Sequence, residues 1–142
     1  YNMPLLVWSY PRGVAIEEKG GRDSLYAVDY AARVALEMGA DIVKLNIPKH
    51  GPKDAEQPAE YAGIDYDYGQ GARRVVESAG RCLVLFSGGS KLGDDDLLSK
   101  VRTGLEAGAT GLIFGRNMWQ RPFDEALAIT EKVQGLMKGF GA

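Results

Sequence analysis

Four apolar, β-branched runs punctuate the chain: Pro4 to Tyr10, Asp41 to Ile47, Cys82 to Ser87 and Gly111 to Arg116. Each is followed by turn residues and then by apolar positions three and four apart, so the hydrophobic period switches from that of a strand to that of a helix. This alternation predicts βα units built on a parallel sheet. The first helix is expected over about Ser24 to Met38, with Ser24 as N-cap, Leu25, Val28, Ala32, Ala35 and Leu36 toward the sheet, and Gly39 as its stop. A second is expected over about Asp65 to Ala79. A third opens on Asp94, Asp95 and Asp96, whose carboxylates cap and complement a helix N-terminus, and ends near Gly108 after Leu97, Leu98, Val101 and Leu105. A fourth runs from near Pro122 to about Lys138.

Two helices end in similar words, Glu37-Met-Gly-Ala-Asp41 and Glu106-Ala-Gly-Ala-Thr110, each leading straight into a strand. Such junctions fit the tight αβ turns of a repeated βα architecture. Eight such units close a (β/α)8 TIM barrel of about 250 residues, and four fill about half of it. The fold class read from the sequence is therefore α/β, a half barrel. A doubly wound open sheet is the alternative, but the Gly-x-Gly-x-x-Gly dinucleotide loop expected after its first strand is missing.

Strand periodicity decides which side chains meet, because residues two apart share a face. In the second strand Val43, Leu45 and Ile47 form an apolar face suited to packing under helices, while Ile42, Lys44 and Asn46 point the other way. Lys44 thus stands inside a run that otherwise reads as buried. Burial of an amine disfavours its charged form, and the free amine can attack a carbonyl, so Lys44 is the candidate Schiff-base nucleophile. A lysine whose ammonium reaches the strand mouth and pairs with a carboxylate is the competing reading. In the first strand Leu6, Trp8 and Tyr10 share a face, with Tyr10 at the C-terminal end, where barrel active sites lie. Trp8 and Tyr10 suit either ordinary barrel filling or the border of a site around Lys44.

The third strand ends in Ser87-Gly88-Gly89-Ser90-Lys91 and the fourth in Gly115-Arg116-Asn117. Glycines let backbone N–H groups approach an anion, and the loops after the last two barrel strands are the usual phosphate cradle of this fold. Arg116 could clamp the same anion. The stretch from Pro48 to Tyr68 is long for a βα connection and rich in proline, charge and tyrosine, the mark of a functional lid or a surface insertion. It holds His50, the only histidine, which reads as a solvated loop residue because no second histidine or nearby cysteine exists to build a metal site.

Composition narrows the classes without choosing one. The 142 residues suffice for one ordinary domain, and the net charge of −2 gives no electrostatic case for nucleic acid or an anionic membrane. Cys82 reads as a small buried hydrophobe, and one cysteine builds no internal disulfide. No apolar run approaches the ~18 residues of a membrane span, and the start lacks the pattern of a signal peptide, so a cytoplasmic protein is expected. The start at Tyr1, without an initiator methionine and close to the first strand, reads as a fragment or a processed product.

Four segments, Trp8-Ser-Tyr-Pro-Arg-Gly13, Ala40-Asp-Ile-Val-Lys44, Leu85-Phe-Ser-Gly-Gly89 and Gly115-Arg-Asn-Met-Trp-Gln-Arg121, resemble the successive strand-end motifs of the archaeal-type class I fructose-bisphosphate aldolases. The similarity runs along nearly the whole chain, in order, and matches the C-terminal half of that family's barrel. The resemblance implies that Lys44 is the Schiff-base lysine, Tyr10 the tyrosine of proton transfer at the enamine carbon, and Trp8 a residue of the substrate pocket. It implies that Ser87, Gly88, Gly89, Gly115 and Arg116 hold the C1 phosphate of the sugar, and that Arg12 contacts the other phosphate. The acidic residue that the family uses near its first strand has no counterpart here.

The reaction implied by the resemblance is reversible cleavage of fructose 1,6-bisphosphate to dihydroxyacetone phosphate and glyceraldehyde 3-phosphate, with no metal and no cofactor. The implied partners are the sugar-phosphate substrate, an N-terminal half-barrel and further copies in a homo-oligomer, with neither nucleic acid nor membrane. Two alternatives stand beside this. One is a related lysine-dependent sugar-phosphate enzyme, such as a heptulosonate synthase or a thiolase-like enzyme; the other is a non-catalytic half-barrel that binds phosphate or pairs through its open strand edges.

Overall fold

The computed structural model describes residues 2–50 and 57–140. Its elements are β1 (Leu6–Trp8), α1 (Val14–Glu18), α2 (Leu25–Glu37), β2 (Ile42–Leu45), α3 (Tyr68–Ser78), β3 (Leu83–Ser87), α4 (Asp94–Glu106), β4 (Gly111–Ile113), α5 (Arg116–Trp119) and α6 (Phe123–Lys138). The four strands form one parallel sheet in the order β1-β2-β3-β4. Sequential order means that every crossover runs in the same direction. A doubly wound sheet reverses its order at a switch point, so this topology is that of a barrel wall.

The predicted elements are present, with trimmed ends. The strands are shorter than the apolar runs, since Tyr10, Ile47 and Arg116 lie beyond the ladders. The second helix starts later than expected, at Tyr68, because Asp67 caps it: its carboxylate accepts from Gln70 N at 2.8 Å while the Gln70 side chain accepts from Asp67 N at 2.9 Å. The three aspartates at the head of α4 fill its first turn without capping it. Gly93 is the N-cap, and Asp94 instead pairs with Arg121 and Lys132. The single-turn helices α1 and α5 are additions to the expected elements, since four or five residues carry no readable period.

The two Gly-Ala junctions close identically. After α2, Gly39 N donates to Leu36 O and Ala40 N to Ala35 O; after α4, Gly108 N donates to Leu105 O and Ala109 N to Gly104 O. Both glycines have positive φ, 87° and 95°, where any other residue would strain the turn. This geometry delivers the chain into β2 and β4 with no spare residues.

The core lies between the sheet and the outer helices. Val43, Leu45, Val84 and Phe86 are buried against Val28, Ala32 and Ala35 of α2 and Ala72 and Val75 of α3. Full burial of each of the larger side chains contributes roughly 1.5–3 kcal/mol. Strand register sets Leu6 beside Ile42 and Leu83, and Trp8 beside Lys44 and Leu85, on the opposite face. That face is open: Leu6 is 37%, Trp8 65% and Leu83 49% exposed.

Candidate functional site

The open face and the C-terminal strand ends bring the first group of predicted residues together. Trp8 of β1 and Lys44 of β2 are neighbours in register, and the Lys44 Nζ stands 3.9 Å from the centroid of the Trp8 ring. Tyr10, two residues further along, offers its ring to the same Nζ at 5.7 Å. Ser9 N donates to Lys44 O at 3.1 Å, and the Ser9 hydroxyl to Ala31 O at 2.8 Å, which ties this strand end to α2. Lys44 is half-buried, where the sequence reading made it a buried amine. Helices cover only one face of the four strands, and Lys44 is on the other.

Arg12 is exposed and lies beside Tyr10, its Cζ 5.4 Å from the ring, with Nη1 donating to Pro11 O. Next to Lys44 on its face, Asn46 accepts from the Ser87 hydroxyl and donates to Asp23 Oδ1 at 2.7 Å. This polar link carries order from the lysine strand to the first glycine loop. Asn46 shared a face with Lys44 in the sequence reading, but its bond to Ser87 joins residues 41 apart and has no local signal.

The second group is built around the two glycine loops. Gly88 N donates to Ile113 O at 3.2 Å, so the loops after β3 and β4 are stitched together at their roots. A Cβ on Gly88 would come within 2.6 Å of Phe114 and 2.8 Å of Asn117, and one on Gly115 within 2.6 Å of the Trp119 ring. Side chains do not fit at either position, and the backbone is correspondingly close to its neighbours. Asn117, fully buried, holds the first loop with three bonds: its Nδ2 donates to Gly88 O at 3.3 Å and Ser90 O at 3.1 Å, and its Oδ1 accepts from Leu92 N at 2.8 Å. Arg121 continues the brace, donating to Asn117 O, Leu92 O and the Asp94 carboxylate, whose pKa this guanidinium holds below the ordinary value. Asn117 and Arg121 belong to the Gly115 to Arg121 motif, but their bracing role depends on contacts with the loop after β3 and has no local signal. Arg116 is exposed and pairs with no carboxylate among the described residues.

A cleft of about 420 Å³ lies against the same loop and is lined by Lys49, Gly88, Gly89, Ser99, Lys100 and Thr103 among others. Of its two amines, Lys100 Nζ donates to Gly88 O at 3.2 Å and Lys49 Nζ stands 3.7 Å from Asp23 Oδ2. Burial lowers the Lys100 pKa from the ordinary lysine value, with nearby Lys49 acting in the same sense and Asp23 against it.

In the Pro48 to Tyr68 stretch Tyr61, Ile64 and Tyr66 pack against the helix-side core and Lys49 and Tyr68 line the cleft, while residues 51–56 lie outside the described residues. Tyr61 donates to Asp29 Oδ2 at 2.7 Å beside Arg74, and exposed His50 stacks on Tyr66 at 4.4 Å. Cys82 is buried and donates to Ala40 O, as a structural cysteine does. Among the described residues no group of histidine, cysteine, aspartate or glutamate is arranged to hold a metal ion, and no helix is long and apolar enough to cross a membrane.

Both the sequence and the fold match known proteins. The family model for DeoC/LacD family aldolase matches residues 1–121. The class 1 fructose-bisphosphate aldolase of Halobacterium salinarum is 40% identical over 121 residues, 85% of this chain and 38% of that protein. The like-named protein of Thermoproteus tenax is 38% identical over 138 residues, 95% of this chain and 44% of its own. An archaeal fructose-1,6-bisphosphate aldolase, solved with its catalytic Lys covalently bound to the carbinolamine intermediate of the substrate, matches with a TM-score of 0.75 at 35% identity, over 99% of this chain and 46% of that one. This chain therefore spans less than half the length of these relatives, and its four βα units are about half of a TIM barrel. By these matches the chain belongs to the DeoC/LacD family of aldolases.

Proposed function

We propose that the protein carrying this chain is a class I fructose-bisphosphate aldolase and that the chain is the C-terminal half of its barrel. The observation that carries the reading is Lys44, an amine on the inner face of the sheet, bordered by Trp8 and Tyr10 at the C-terminal strand ends. In this reading the neutral Lys44 Nζ attacks the C2 ketone of fructose 1,6-bisphosphate, and the resulting carbinolamine loses water to give an iminium. The C4 hydroxyl gives up its proton, the C3–C4 bond breaks, and its electron pair moves into the iminium to form an enamine. Glyceraldehyde 3-phosphate departs. Protonation of the enamine at C3 and hydrolysis of the iminium then release dihydroxyacetone phosphate and restore the lysine.

Tyr10 is the acid/base for proton transfer at the enamine carbon, and a carboxylate outside these residues completes the set. The face of Trp8, already against the Lys44 amine, suits the cationic iminium for the same electrostatic reason. The loops that carry Ser87, Gly88, Gly89, Gly115 and Arg116 hold the C1 phosphate, with the Ser87 hydroxyl and the Gly88 N–H bracing the first loop from within, and Arg12 reaches toward the second phosphate. The iminium itself is the electron sink, so the route requires no metal. The working protein is a cytoplasmic homo-oligomer in which the N-terminal half covers the open face.

The test is chemical trapping. The complete protein is incubated with fructose 1,6-bisphosphate or dihydroxyacetone phosphate, reduced with borohydride and digested for peptide mass spectrometry. An adduct on Lys44 is the expected result; cleavage activity that a chelator abolishes, with Lys44 unmodified, would overturn the mechanism.

A further inference from the structure

Two donors from different parts of the fold converge on one carbonyl of the first glycine loop. Lys100 Nζ, from α4, and Asn117 Nδ2, from α5, reach Gly88 O at 3.2 Å and 3.3 Å. In a trans peptide the C=O and the following N–H point in opposite directions, so the Gly89 N–H faces away from both donors. Gly89 is exposed, and among the described residues nothing accepts from its N–H. Lys100 itself is only partly exposed, and no carboxylate among the described residues pairs with it. Keeping an unpaired amine in such a place is unfavourable, which its lowered pKa reflects. An apolar residue at that point of α4 would avoid this cost, but would leave the Gly88 carbonyl held by Asn117 alone.

We propose that Lys100 is a positioning residue of the phosphate loop, which fixes the Gly88–Gly89 peptide from behind and polarises it so that the Gly89 N–H is presented to a phosphate. The inference rests on the reading of Ser87, Gly88 and Gly89 as phosphate-binding. Hydrogen bonds in series strengthen one another, and a bond from an ammonium polarises the amide more than a neutral donor does. The charge of Lys100 is thereby felt at the phosphate without contact. Asn117 shares the orienting role but braces two further loop atoms, so Lys100 is the cleaner residue to test.

Lys100→Met keeps the length of the side chain and removes donor and charge. In the complete protein this variant is expected to weaken binding of inorganic phosphate, and to raise KM for fructose 1,6-bisphosphate, by about tenfold. The kcat at saturating substrate and the borohydride adduct on Lys44 should stay near wild type, and Lys100→Arg should recover at least part of the lost affinity. A merely structural lysine would lower the melting temperature without separating KM from kcat. Should Lys100→Met not fold, Lys100→Gln, a donor without charge, takes its place with a smaller expected loss. Phosphate affinity indifferent to these substitutions, or Lys100→Arg no better than Lys100→Met, would overturn the proposal. If the wild type gave no Lys44 adduct while phosphate binding still depended on Lys100, the aldolase reading would fall and the role of Lys100 would stand.

Discussion

The two faces of the same four strands differ in what covers them. On the helix side Val43, Leu45, Val84 and Phe86 are sealed under α2 and α3, and alternate residues leave no polar group among them. On the other side stand Trp8, Lys44 and Leu85, with Asn46 and Tyr10 beyond the ladder, half-buried or exposed. A period of two lets one strand seal a core with one face and leave the other open, which is the face the proposed chemistry needs. The side chain of Val43 holds the wall in place while its neighbour Lys44 faces the space where a substrate would enter.

Substitutions on the two faces should fail in opposite ways. Lys44→Met in the complete protein should reduce aldol cleavage by on the order of 10⁴-fold or more, because the covalent route is removed. Its denaturation midpoint should move by less than about 0.5 kcal/mol equivalent, since the side chain is half-exposed and pairs with no carboxylate among the described residues. Phe86→Ala should do the reverse, costing about 3–5 kcal/mol in urea unfolding, with near-normal turnover per folded molecule. A stable but inactive Phe86→Ala, or a Lys44→Met that unfolds, would break the comparison.

The faces are legible in the sequence because they depend only on alternation, and the two ends of α2 and the close of α4 because Ser24, Gly39 and Gly108 act locally; the start of α3 is not, because Asp65 offers the same capping residue type just before Asp67. The exposure of Lys44 is not legible for a reason of the same kind: a run such as Ile42 to Ile47 reads as covered on both sides, but alternation does not say whether anything lies over the second face. The braces of the glycine loop were not legible at all. Asn117 and Gly88 are 29 residues apart, and Lys100 sits on a helix face that looks merely polar. Their meaning comes from two loops crossing, which only the sheet order brings about. Tyr61 is a similar case, docking a long loop onto a carboxylate 32 residues away.

Smaller effects should come from the outer, helical layer alone. Asp67→Ala removes a reciprocal capping box and should cost about 1 kcal/mol in urea unfolding, without altering KM or kcat. The last effect is a dependence on pH. Burial first, and then the hydrogen bond and charge of Asp29, push the Tyr61 pKa up from 10.0 to about 12. The folded state therefore favours the neutral phenol. The stabilisation this gives is complete below the unfolded value near 10 and is lost as pH rises through about 12, because an ionised Tyr61 would face the Asp29 carboxylate across its own hydrogen bond. Urea midpoints measured at pH 9, 11 and 12 should fall more steeply for the wild type than for Tyr61→Phe, which has no proton to lose. Equal slopes would mean that Tyr61 does not hold the loop to α2 in solution, and that the outer layer over the helices is looser than the sealed face beneath it.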